Sequence, residues 1–246
     1  MKNKIDWKKP RTFGLLGTGN AKTIKGTKQG YLTGILYLAP HTQAGLGNVC
    51  SFASKGCAAA CLYTAGRGKM SNVQKARINK TKRFFNDPKQ FIEDLAKDIK
   101  TFVNYCEKRH IIPTIRLNGT SDLPFERLGC KLGIPLMDRF PKVQFYDYTK
   151  NPNRAKAYVR GEMPTNYHLT FSRSECNNEV ALEILKLGGS VATVFNSSDF
   201  PSEYAGFEVV DGDDTDLRFL DKPNVWVGLK AKGDAKKDES GFVIQL

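Results

Sequence analysis

Tyr31-Leu-Thr-Gly-Ile-Leu-Tyr-Leu-Ala39 is an almost unbroken apolar run, the pattern of a strand covered on both faces. Working outward from it, residues 72–85 form a basic helical pattern behind Ser71. Residues 90–109 place Phe91, Leu95, Ile99, Phe102 and Val103 three and four apart, which makes one buried stripe. Short apolar segments then alternate with helical ones. Strands are expected at 114–118, 143–148, 167–171, 190–195, 207–210 and 225–229, and helices at 153–159 and 178–187. Such alternation builds a parallel sheet with crossover helices. Polar residues close nearly every strand, so the expected fold is α/β: a full or partial (βα) barrel with mainly parallel strands and its chemistry at the C-terminal mouth. One barrel-like domain spans residues 31–246, and residues 1–30 read as an irregular basic segment packed on it. Gly17-Thr18-Gly19 lacks the third glycine of a dinucleotide loop.

At 246 residues with 40% hydrophobic composition the chain can bury a sizeable core. It has no apolar run of membrane-spanning length, and its first residues, basic without an apolar stretch behind them, do not form a secretory signal. Six cysteines at irregular spacing point to a reducing, cytoplasmic setting, where thiols serve as ligands or buried groups. The net charge of +13 is uneven: residues 1–83 hold 16 Lys and Arg against one acid, Asp6. That imbalance suits an anionic partner, whether nucleic acid, phosphate or an anionic cofactor, or else a solvated basic face. Between Arg67 and Arg83 no aromatic residue is interleaved with the basic ones, unlike a single-strand stacking surface.

Cys50-Ser-Phe-Ala-Ser-Lys-Gly-Cys57-Ala-Ala-Ala-Cys61 directly follows the first apolar strand. Three thiols on one short loop can converge on a single centre, and soft thiolates suit an iron–sulfur cluster or zinc. Zinc would need a fourth ligand, with His41, Cys106, Cys130 and Cys176 available but distant in sequence. Three ligands and an open position favour a cluster; unliganded thiols are the remaining alternative. A second signal is repetition at strand ends: 116–122, 146–150, 172–175 and 196–199 all carry amides, hydroxyls, phenols or charges. Each alone is an ordinary turn or cap, but together they would ring one polar mouth. A third is the acidic run Asp211, Asp213, Asp214 and Asp216 before Arg218, which could hold a hard cation but lacks calcium-loop spacing and reads rather as an exposed turn, paired to Arg218 or to the basic N-terminal region. His41, His110 and His168 are too scattered to define a site.

The segments 48–50, 61–68, 116–122, 145–150 and 169–172, with Cys57, resemble a bacteriophage family called gene product 88. The resemblance covers roughly residues 30–232 and implies the cytoplasm of an infected host cell. More loosely, a three-cysteine loop after the first strand of a partial barrel is similar to radical S-adenosylmethionine enzymes. The intervening residues here number six and three where those enzymes have three and two. That likeness implies a [4Fe–4S] cluster on Cys50, Cys57 and Cys61, with S-adenosylmethionine held by Asn118, Gly119, Ser121 and Asp122. Tyr146, Tyr148, Lys150 and Ser172 would then line the substrate side, and an electron donor would be the partner. The alternative is a non-catalytic nucleic-acid-binding protein whose basic N-terminal third grips phosphates around a structural metal or cluster.

Overall fold

A computed structural model describes residues 11–246; residues 1–10 of the basic segment lie outside the described residues. In chain order the elements are β1 (Thr12–Phe13), β2 (Leu16–Gly17), α1 (Ala21–Gly26), β3 (Tyr31–Leu36), α2 (Lys55–Ala59), α3 (Ser71–Asn86), α4 (Pro88–Glu107), β4 (Ile112–Arg116) and α5 (Phe125–Lys131). They continue with α6 (Leu136–Arg139), β5 (Gln144–Thr149), α7 (Pro152–Val159), β6 (Tyr167–Ser172), α8 (Asn178–Lys186), β7 (Val191–Phe195), β8 (Glu203–Tyr204), β9 (Phe207–Asp211), β10 (Trp226–Lys230) and β11 (Val243–Ile244).

The strands form one sheet in the order β1-β2-β3-β4-β5-β6-β7-β10-β9-β8, mostly parallel. Strand β10 pairs along the full length of β7, while β6 takes the first half of the other edge and β11 the second. The sheet is open among the described residues and does not close into a full barrel. Strands β3 to β7 lie side by side in sequence order. Right-handed crossovers between such neighbours place the helices on one face. That face holds the main core, in which Leu32, Leu36, Ile115, Phe145 and Leu169 pack with Phe91, Leu95, Ile99 and Phe102 of α4. Helix α4 begins as its sequence dictates, with Pro88 in its first turn and Asp87 accepting a hydrogen bond from the Gln90 amide at 3.0 Å.

The opposite face carries the alternate residues Thr33, Thr114, Arg116 and Tyr146. Residues 216–219 cover it. Asp216 receives Arg116 at 2.9 Å and the Tyr146 hydroxyl at 3.1 Å, and Phe219 packs edge-on against Tyr31. The acidic run is therefore not simply an exposed turn, because Asp216 and Arg218 are each only 2% exposed. The burial of Asp216 follows from charge: Arg116, on a covered strand face, needs a carboxylate. Nor are residues 11–30 irregular. The β1–β2 hairpin turns at Gly14, with φ +58°, and the Leu15 amide anchors it on Asp98 of α4 at 2.8 Å. Strand β2 then pairs antiparallel with β3, and α1 follows β2 in the chain. No helix among the described residues is long and apolar enough to cross a membrane.

Candidate functional site

The cysteine loop leaves the C-terminal end of β3, and side chains from neighbouring strand ends hold it. Ser54 caps α2, accepting from the Cys57 amide at 3.1 Å while donating to Glu175 at 2.7 Å. The Gly56 amide donates to the same carboxylate at 2.7 Å. A Cβ at Gly56 would run into Ser240 and Glu175, so glycine permits the close approach. The Cys50 thiol lies 3.7 Å from the Thr120 carbonyl, and the Asp122 amide donates to the Val49 carbonyl at 2.8 Å. The loop after β4 thus sits against the cysteine loop at the same end of the sheet.

All three thiols are half-buried, and burial raises each of them, Cys50 up to about 12. Cys50 also feels both other thiols through space, and Cys61 feels Cys57. Lys150 opposes the rise at Cys57, and Arg77 and Lys150 oppose it at Cys61. Two cations therefore flank a group of thiols, an arrangement that suits anionic sulfur. Among the described residues no three His, Cys, Asp or Glu side chains stand in position to share one metal ion. A single zinc would draw its sulfurs to about 3.8 Å from one another, given tetrahedral bonds of about 2.3 Å. A cluster, with one iron for each thiolate, spreads its ligands across its own width. The donor set is thiol-only, and a buried guanidinium beside Cys61 has unmet donors (Arg77 Nε and Nη1). Thiol donors of this kind are those that iron–sulfur clusters and zinc take.

The other expected site residues divide by position. Asn118, 2% exposed, spends its side chain inside the chain: its oxygen accepts from Ser121 and the Leu123 amide, and its nitrogen reaches Asp147 and the Leu123 carbonyl. A Cβ on Gly119 would come within 2.5 Å of the Tyr37 ring, so glycine lets the two loops meet. Asp122 accepts from Thr149, the Lys150 amide and Arg154. Tyr146 is fully buried against Thr33 and Asp216, and Tyr148 lies under the Arg116 guanidinium at 4.6 Å. Lys150 donates to Ser172 at 2.6 Å and stands at the cysteine loop. The Asn196 end belongs elsewhere, bonded to Gln245 beside β11. Of the remaining cysteines, Cys106 is buried in the core under α4, and Cys130 and Cys176 are exposed. His168 is bonded to Tyr158 at 2.9 Å, and burial lowers it to about 4.

Beneath this mouth Asp147 accepts from the backbone and side chain of Asn118 and from Tyr167, and burial pushes it up to about 7. An acid raised in the folded state adds stability that is whole below its unfolded value of 3.8 and is lost as the pH climbs through about 7. Unfolding free energy should therefore decline over that window. Asp147→Asn should flatten the decline, as urea titrations at several pH values would read; an unaltered slope in the variant would rule Asp147 out as its source.

A family model described as gene product 88 matches residues 14–246, which include every residue just placed. The chain belongs to the gene product 88 family. No curated protein and no solved structure matches it. In this gene product 88 protein, sequence reading missed Arg77, Tyr37, Tyr63 and the anchoring role of Glu175. The clue for Arg77 was its spacing of four and seven from Thr81 and Phe84, both buried on α3. Of the seven basic residues between Arg67 and Arg83, five are exposed. Arg77 turns inward, and Lys80 donates to the Leu15 carbonyl at 2.7 Å.

Proposed function

We propose that the protein binds an iron–sulfur cluster, of the [4Fe–4S] type, through Cys50, Cys57 and Cys61 at the C-terminal ends of its parallel strands. The observation that carries this reading is the juxtaposition of three half-buried thiols with two cations, Lys150 and Arg77. When bound, the cluster would supply one-electron chemistry; the chain shields it and balances its charge. Anaerobic reconstitution with iron and sulfide tests this. The expected product is brown and contains both elements in multiples per chain, and a colourless, zinc-loaded protein would count against it.

The radical-enzyme extension of the reading, on a partial-barrel sheet, draws less from the chain. Asn118, Gly119, Ser121 and Asp122 are engaged within the fold, and Tyr146 is sealed under residues 216–219. Lys150 and Ser172, with Tyr148 behind them, remain the groups placed to meet S-adenosylmethionine or a substrate. Reductant-dependent cleavage of S-adenosylmethionine by the reconstituted protein, with an electron donor as partner, is the measurement that decides it.

A second reading, nucleic-acid binding, rests on exposed Arg67, Lys69, Lys75, Lys82 and Arg83 and on the absence of any acid between Asp6 and Asp87. Neutralising Lys75 and Lys82 should then lower the salt slope of duplex binding by about 0.9 for each phosphate that is no longer neutralised. Lys80 is excluded from that set because its ammonium is bound to the β1–β2 hairpin. An unchanged slope would mark these lysines as a solvated helix face.

A further inference from the structure

Arg77 lacks the partners that normally accompany a buried guanidinium. Its central carbon lies 4.6 Å from the ring centroid of Tyr37 and 5.8 Å from that of Tyr63. Tyr37 is itself held by Asn20, which donates to its hydroxyl at 2.7 Å. The two rings thus flank the guanidinium, yet its Nε and Nη1 are buried without a hydrogen-bond partner among the described residues. An unmet buried donor costs about 1–3 kcal/mol, and more when it is charged. Such a group calls for an explanation, and a bound group that accepts its N–H donors is one.

What the group faces narrows the choice. Its neighbours of opposite sign on ionisation are Tyr37, Tyr63 and Cys61, with no Asp or Glu among them. Tyr63 lies in the turn Leu62–Thr64 that directly follows Cys61, so the stacking places the guanidinium beside that ligand. The second cation at the mouth, Lys150, already acts on the Cys57 thiol, through space and by a hydrogen bond. Lys150 donates to Ser172 at 2.6 Å and lies 5.3 Å over the Phe242 ring. Arg77 differs from it in carrying two buried N–H groups, Nε and Nη1, without a partner among the described residues.

We propose that Arg77 is the charge partner of the cluster, its Nε–H and Nη1–H donating to anionic sulfur on the Cys61 side of the three-cysteine loop. This rests on the cluster-binding reading above. The consequence is electronic. Reduction adds one electron, taken from a low-potential one-electron donor, to an already anionic centre without making or breaking a bond. A fixed cation with two donors to sulfur favours the reduced form, so it raises the midpoint potential. Arg77 is then a positioning and tuning residue.

The test uses the full chain, reconstituted anaerobically, as wild type, Arg77→Met and Arg77→Lys. Met keeps a stem of similar bulk without charge, whereas Lys keeps the charge without the planar fork. Iron and sulfide content, a thermal melt and a mediated redox titration with dithionite are read for each. The expected result is folded Arg77→Met with a midpoint shifted to more negative potential, and Arg77→Lys between it and wild type. Folded Arg77→Met that fails to hold iron while Arg77→Lys retains it would support the same role. Arg77→Met with full cluster content and the wild-type midpoint would overturn this inference and leave the cluster reading standing. A wild-type chain that takes up no cluster would overturn both.

Discussion

Cys57→Ser is expected to lower bound iron by at least about tenfold after anaerobic reconstitution, a loss at least as large as indirect perturbation of a metal site brings about. Cys57 sits in α2, whose position is fixed three ways, by Ser54, by Glu175 and by the close approach at Gly56. Replacing sulfur by oxygen there changes the donor and leaves the scaffold, since the Ser54 cap uses the Cys57 amide and not its side chain. A hard alkoxide is a poor substitute for a soft thiolate on iron. Two controls separate ligand loss from general damage. Cys130→Ser alters an exposed thiol that touches the Glu126 carbonyl at 3.3 Å. Cys106→Ser puts a hydroxyl into the core under α4 and should cost stability without costing iron. Equal iron in Cys57→Ser and wild type would remove the main support for the proposed function.

The fold was legible where the physics is local and periodic. The stripe Phe91, Leu95, Ile99 and Phe102 announces α4, and the apolar runs ending near Leu36, Thr149 and Ser172 announce three of the parallel strands. The cysteine loop was legible too, because ligand-type residues at short spacing survive any error in strand boundaries. What escaped was decided by partners distant in sequence. Strands β1 and β2, two residues each, carry no period of their own and exist because Asp98 and Lys80 hold the Leu15 backbone. The acidic run looks like a solvated turn until Arg116, a hundred residues earlier, is seen to need Asp216. Strand alternation points to a full or partial barrel, but alternation fixes only the order and direction of neighbours. It does not determine whether the ends of the sheet meet. Arg77 is hidden for a related reason: a basic helix reads as one charged face, and only its spacing to Thr81 and Phe84 reveals an inward member.

Arg154→Met is expected to remove about 3–5 kcal/mol of stability, the range for breaking a buried ion pair by deleting one partner. Arg154 is 2% exposed and grips Glu126 with two bonds, Nε at 3.0 Å and Nη2 at 2.9 Å, while Nη1 holds Asp122 at 2.6 Å. Tyr167 accepts a further bond at 2.9 Å. Deleting the guanidinium strands one carboxylate in the core and another at its edge, with the methionine unable to meet either. Against a total of about 5–15 kcal/mol for a domain, that loss is large. The pH dependence should identify the cause. Protonation neutralises the stranded carboxylates, so the gap between variant and wild type should shrink as the pH falls. Adding Glu126→Gln should recover part of the loss at neutral pH, because it removes the more deeply buried charge. The effect would also reach the candidate site. Asp122 accepts from the Lys150 amide at 2.8 Å, so loosening Asp122 releases the strand end that aims Lys150 at the cysteine loop. Denaturant titrations of the three proteins at acid and neutral pH measure the first effect, and cluster content of the reconstituted variant measures the second. A deficit below about 1 kcal/mol, the level of an exposed pair, or one equal at both pH values, would refute the account of Arg154 as the counter-charge on which this end of the sheet depends.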